Sequence, residues 1–68
     1  MDTNPRVLRR EITRHLTDIE RQIGQVYRRA EEMHTEAFLI RDEKGNFLLT
    51  PLLVAKAQCL HSLTLLQS

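Results

Sequence analysis

The sequence predicts a mainly α-helical protein. The expected architecture is a long N-terminal amphipathic helix over 4–37, a short β-hairpin over 38–50, and a C-terminal helix over 51–67 folded back antiparallel. Three observations carry this. First, Leu8, Ile12, Leu16, Ile19, Ile23, Val26, Ala30, Met33 and Ala37 recur at steps of three and four. Only a helix puts such residues on one side. Second, two short apolar runs, at 38–40 and 47–49, flank a polar turn containing Gly45. Third, Thr50-Pro51 precedes a run of leucines interrupted by few polar residues.

The first helix begins at Asn4-Pro5. Asn accepts a hydrogen bond from a first-turn N–H, and proline at the first helical position loses nothing by lacking its own. Gly24 is the weak point, costing about 1 kcal/mol relative to alanine. It lies opposite the apolar stripe, where the helix would bend or break if it does so anywhere. From Leu16 onward the stripe alternates three and four, the heptad seam of a coiled coil. Extended backward, the seam weakens, because Arg9 falls where an apolar residue is wanted.

The hairpin rests on Phe38, Leu39 and Ile40, the turn 42–46, and Phe47, Leu48 and Leu49. Gly45 supplies the positive φ of a bulged turn. The alternatives are a plain interhelical loop, or an extension of the first helix through residue 40. Thr50-Pro51 repeats the Asn4-Pro5 start signal. In the second helix Leu52, Ala55, Cys59, Leu63 and Leu66 form one strip, broadened by Leu53 and Leu60. Val54, Ala57 and Leu65 fall on the other side. A helix apolar over so much of its circumference is expected to be buried on more than one side.

Sixty-eight residues allow one small domain, 1–68. Chains of this size are marginal alone and commonly add disulfides, a metal or a second subunit. One cysteine, Cys59, excludes an internal disulfide and fits a reducing compartment. The N-terminus is polar and charged, so no secretory signal is expected. The segment 47–66 contains Pro51, Lys56, Gln58 and His61, and reads as too polar for a membrane span. A soluble cytoplasmic protein follows as the expectation.

Catalytic and cofactor chemistry finds little support. His15, His34 and His61 are far apart in sequence, and Cys59 and His61 point in different directions on a helix. Zinc needs four convergent ligands, or three plus water, so neither a metal nor any cofactor is expected. Cys59 sits among leucines and reads as a packing residue. The two glycines form no phosphate loop, and Glu31-Glu32 and Asp42-Glu43 diverge or are solvated. No enzyme activity is expected.

Two binding readings remain. Arg10, Arg14, Arg21 and Arg28 line the face opposite the stripe, with Arg6 and Arg9 to one side. Such a ridge suits nucleic-acid phosphates. Against it, ten basic and nine acidic residues nearly cancel. Glu11, Asp18 and Glu32 are also spaced to pair with Arg14, Arg21 and Arg28. The leading reading is a protein-interaction module, a small accessory, regulatory or inhibitor protein acting by binding. A first helix of about 50 Å outruns a second of about 25 Å. Folded back from the end of the first, the second is expected to cover only residues 23–37. Leu8, Ile12, Leu16 and Ile19 would stay exposed and, with Ile23 and Val26, form the interface of a homodimer or of another protein partner. Residues 1–29 carry seven Arg and four acids, whereas 30–43 carry five acids and one Arg. An antiparallel dimer sets these opposite charges together.

Overall fold

Asn4 opens the first helix as its side chain predicts. In the computed structural model, which describes residues 4–67, Asn4 Oδ1 accepts from the Arg6 N–H at 2.9 Å. Pro5 occupies the first helical position, and α1 spans Pro5–Met33. The helix runs through Gly24 without interruption.

The helix ends four residues short of the expected Ala37. His34 adopts a left-handed conformation, φ 54 and ψ 44. Its N–H donates to Glu31 O at 3.2 Å, and the Thr35 N–H donates to Ala30 O at 3.0 Å. This is the Schellman pattern, which satisfies the last carbonyls and turns the chain away. Glycine normally marks such an end; here a histidine carries the positive φ, so the stop signal is weak in the sequence.

The expected β-hairpin is corrected to a connector with no strand among the described residues. Phe38 and Leu39 lie in a single 3-10 turn, Ala37–Leu39. The chain then reverses around residues 42–46 with one isolated antiparallel bridge, Arg41 to Phe47. Asp42 Oδ1 accepts from the backbone N–H groups of Lys44 and Asn46, each at 2.9 Å. The Asp42 N–H donates to Asn46 O at 2.9 Å, and Gly45 sits at φ 85. The turn chemistry is thus as read. The ladder stops after one bridge because Ala37, Ile40 and Leu49 turn into the helical core.

The second helix, α2, spans Leu49–Gln67 and begins two residues before the expected start at Pro51. Thr50 is therefore inside the first turn and not ahead of it. Pro51 is still tolerated there, since first-turn N–H groups have no intrahelical partner.

α2 packs antiparallel on α1. Arg9 Nη2 donates to Leu66 O at 3.3 Å, tying the start of α1 to the end of α2. Midway, Ile12 and His15 share an open cleft with Ala55 and Cys59. At the far end, Val26 shares another with Leu48 and Leu52. The core comprises Leu16, Ile19, Ile23, Val26, Ala30, Ala37, Ile40, Leu49 and Cys59.

This register overturns the expected coverage. The segment 34–48 doubles back along the last turns of α1 and does not project beyond its end. Ala37 and Ile40 cover the C-terminal part of the stripe, and α2 starts opposite Val26 and reaches Arg9. Leu16 and Ile19 are buried, and Ile12 is half-buried against the core. The N-terminal half of the stripe has its mate within the chain.

Candidate functional site

With its stripe covered, α1 presents a charged outer face. Arg10, Arg14, Arg21 and Arg28 are all exposed. Of the three expected ion pairs, one forms among the described residues: Arg21 Nη2 lies 3.1 Å from Asp18 Oδ1. Both side chains are exposed, and such a pair contributes only a few tenths of a kcal/mol. Arg9 instead caps α2, where a cation suits the last carbonyls.

The residues the sequence nominated as an interface lie elsewhere than expected. Leu16, Ile19, Ile23 and Val26 are buried in the intrachain core, and Leu8 and Ile12 are half-buried at its edge. The largest apolar surface is instead on α2. Leu52, Ala55 and Leu63 face the core with Cys59, as the strip predicts. At 100° per residue the opposite face carries Leu53, Val54, Ala57, His61, Thr64 and Leu65, with Leu60 at its edge. Leu53 is 45 % exposed, Val54 52 %, Leu60 46 % and Leu65 60 %.

This face has no charge. Lys56 is the one charged residue of α2, and it is half-buried at the edge of the inner face. The Thr64 hydroxyl already donates to Leu60 O at 2.9 Å. Covering that hydroxyl strands no donor. His61 is the polar residue near the middle of the face, between Ala57 and Val54. Only Leu49 and Cys59 of the helix are buried. A helix apolar all round is ordinarily buried all round, so α2 is half-covered by its own chain. The signal was present in the sequence as Val54, Ala57 and Leu65 on the far side. What it lacked was the register, which sets Val54 and Ala57 on the exposed side of α2, away from α1.

α2 is also the one helix among the described residues long and apolar enough to cross a membrane, with mean hydropathy 1.2. Inserting it would bring Lys56, Gln58, His61 and Gln67 into hydrocarbon and strip the cover from Leu16, Ile19 and Ile23. Both cost free energy.

A second apolar group surrounds the connector. Phe38, Leu39, Phe47 and Met33 are exposed there. Phe47 carries the Arg41 guanidinium over its ring, 4.6 Å from the centroid. This stacking holds the two bridge residues together.

Catalytic geometry is sparse. Cys59 is buried in the core, with no titratable side chain in contact among the hydrogen bonds or ion pairs described. No three His, Cys, Asp or Glu side chains converge among the described residues. The clefts along the helix seam and beside the connector are open to solvent. No family model, curated protein or solved structure matches this chain.

Proposed function

We propose that this chain is a non-enzymatic protein-interaction module, a small accessory or regulatory protein acting by binding. Its contact surface is the outward face of α2, centred on Leu53, Val54 and Leu60. The observation that carries this reading is the lack of charge on a half-exposed helix. Surface helices of stable monomers place polar residues outward. α2 places leucine and valine there and leaves its only charge against its own chain. Such a face gains from being covered by another apolar surface.

The runner-up is contact with nucleic-acid phosphates through α1. It is favoured by Arg10, Arg14 and Arg28, which make no ion pair among the described residues. The near balance of basic and acidic residues weighs against it.

A photo-crosslinking amino acid placed at Val54, and separately at Arg14, distinguishes the two in cells expressing the chain. Protein adducts from position 54, with none from position 14, support the interaction module. Nucleic-acid adducts from position 14, with none to protein from position 54, establish the runner-up and refute the α2 surface.

A further inference from the structure

We infer that the outer face of α1 docks on the sugar-phosphate backbone of duplex DNA through Arg6, Arg10 and Arg14. This rests on the second of the two readings above and gives it a site and a ligand. It does not depend on the α2 surface, which lies on the opposite side of the chain. Three observations lead to it.

The first is a row of like charges with nothing to neutralise it. Arg6, Arg10 and Arg14 follow one another at steps of four, so they stack one turn apart on the same helical face. All three are exposed. None makes an ion pair among the described residues, where the one pair is Arg21 with Asp18, and the one guanidinium hydrogen bond is that of Arg9. Cations one turn apart repel and weaken a helix. The helix macrodipole adds to this, because its positive end lies here and the first turn holds no acid. A polyanion laid along the row relieves both.

The second is where the acids lie. Basic and acidic residues nearly cancel over the whole chain, but residues 4–17 hold four arginines and one acid, Glu11. Glu11 is about 100° round the helix from Arg10, and it lines the cleft toward α2 with His15 and Ser62. The end of α2 packed beside this part of α1, residues 58–67, contains no acid. The acids concentrate over 30–43. Arg28 lies beside Glu31 and Glu32 and is left out of the site for that reason.

The third selects the polyanion. Single strands are held by stacking their bases on aromatic side chains. Tyr27 is the one aromatic of α1, about 20 Å along the axis from Arg14. The contact is then with phosphates, which a duplex presents on its outside, and the planar arginine fork suits their oxygens. Arg6 and Arg14 are about 12 Å apart along the axis. The major groove of B-form DNA is about 12 Å wide, which puts both its strands within reach. The corresponding groove of duplex RNA is deep and narrow.

Fluorescence anisotropy of a labelled DNA duplex, titrated with the full chain at several salt concentrations, tests the proposal. Each phosphate contact contributes about −0.9 to the slope of log K against log salt, so three give about −2.7. Affinity should fall about 40-fold between about 50 and 200 mM salt. Arg10→Gln/Arg14→Gln should leave a slope of about −0.9 and a fall of only about three- to fourfold. Its melting temperature should not drop, because the row it breaks is repulsive. Arg29→Gln/Lys44→Gln removes the same charge at the other end of α1 and should leave the slope unchanged. If the first double variant loses its helicity, Arg6→Gln alone must reduce the slope by about 0.9. No duplex binding up to about 1 mM chain at low salt overturns the inference. So does a slope kept by Arg10→Gln/Arg14→Gln, or an equal loss in Arg29→Gln/Lys44→Gln. Tighter binding to single strands, to duplex RNA or to phosphatidylserine vesicles also overturns it. Nucleic-acid adducts from position 14 in cells, without duplex DNA binding in solution, remove the DNA site but leave the second reading standing. Neither adducts nor binding removes both.

Discussion

Adding one methyl group to each glycine should move stability in opposite directions. Gly24 lies mid-helix in α1, and a Cβ there meets nothing within 4 Å. The change to alanine removes the entropy cost of ordering glycine, so Gly24→Ala should stabilise by about 1 kcal/mol. Gly45 also has open space within 4 Å, but its φ is +85. A side chain in that region costs about 1–2 kcal/mol. The reduced freedom of the unfolded chain returns about 0.4–1 kcal/mol. Gly45→Ala should therefore destabilise by about 0.5–1 kcal/mol on balance. For a domain of this size 1 kcal/mol shifts Tm by about 4–8 °C. Thermal melts followed by circular dichroism at one fixed protein concentration should show Tm rising for Gly24→Ala and falling for Gly45→Ala. The fixed concentration matters because an associating chain has a concentration-dependent Tm. A fall for Gly24→Ala would mean that something packs against that side of α1. It would place a contact surface where the structure shows solvent.

Two further substitutions probe the core and the connector. Ile19 is 3 % exposed, so Ile19→Ala should cost about 2–5 kcal/mol, a large part of the roughly 3–10 kcal/mol expected for a domain of this length. Urea titration should show the midpoint falling steeply, and an unchanged midpoint would place Ile19 outside the core. Asp42→Ala removes the acceptor for two backbone N–H groups. It should cost about 1 kcal/mol, and hydrogen exchange should speed up at Lys44 and Asn46 while the amides of α1 near Ile19 keep their protection.

Much of the architecture was legible in local chemistry. Asn4-Pro5 starts α1 because both residues act on first-turn N–H groups and need no tertiary help. The stripe from Leu16 to Ala30 is the buried side of α1, and Leu52, Ala55, Cys59 and Leu63 are the inner side of α2, because helical periodicity alone sorts them. The stop at Met33 was not legible, since His34 takes a left-handed conformation more often given to glycine. The connector misled for a related reason. Asp42, Gly45 and Asn46 specify a tight reversal, but they say nothing about how far the flanking residues stay paired.

The exposed apolar area was misplaced through register. Comparing helix lengths assumed that α2 starts at the end of α1. It starts opposite Val26, because 34–48 folds back along α1 with Ala37 and Ile40 inward. A shift of a few turns buries Leu16 and Ile19 and transfers the exposed apolar area to Leu53, Val54 and Leu60. The composition of α2 already placed apolar residues on a second side. Only the three-dimensional arrangement tells which side lacks cover.

A second copy of the chain on the proposed α2 surface is tested in a mixture of isotope-labelled and unlabelled chain. Isotope-filtered nuclear Overhauser spectra report only methyl groups that touch across two molecules. A second copy on α2 predicts intermolecular contacts among the methyls of Leu53, Val54 and Leu60. Contacts confined to Leu8, Ile12 and Leu16, or no intermolecular contacts at all, would contradict it.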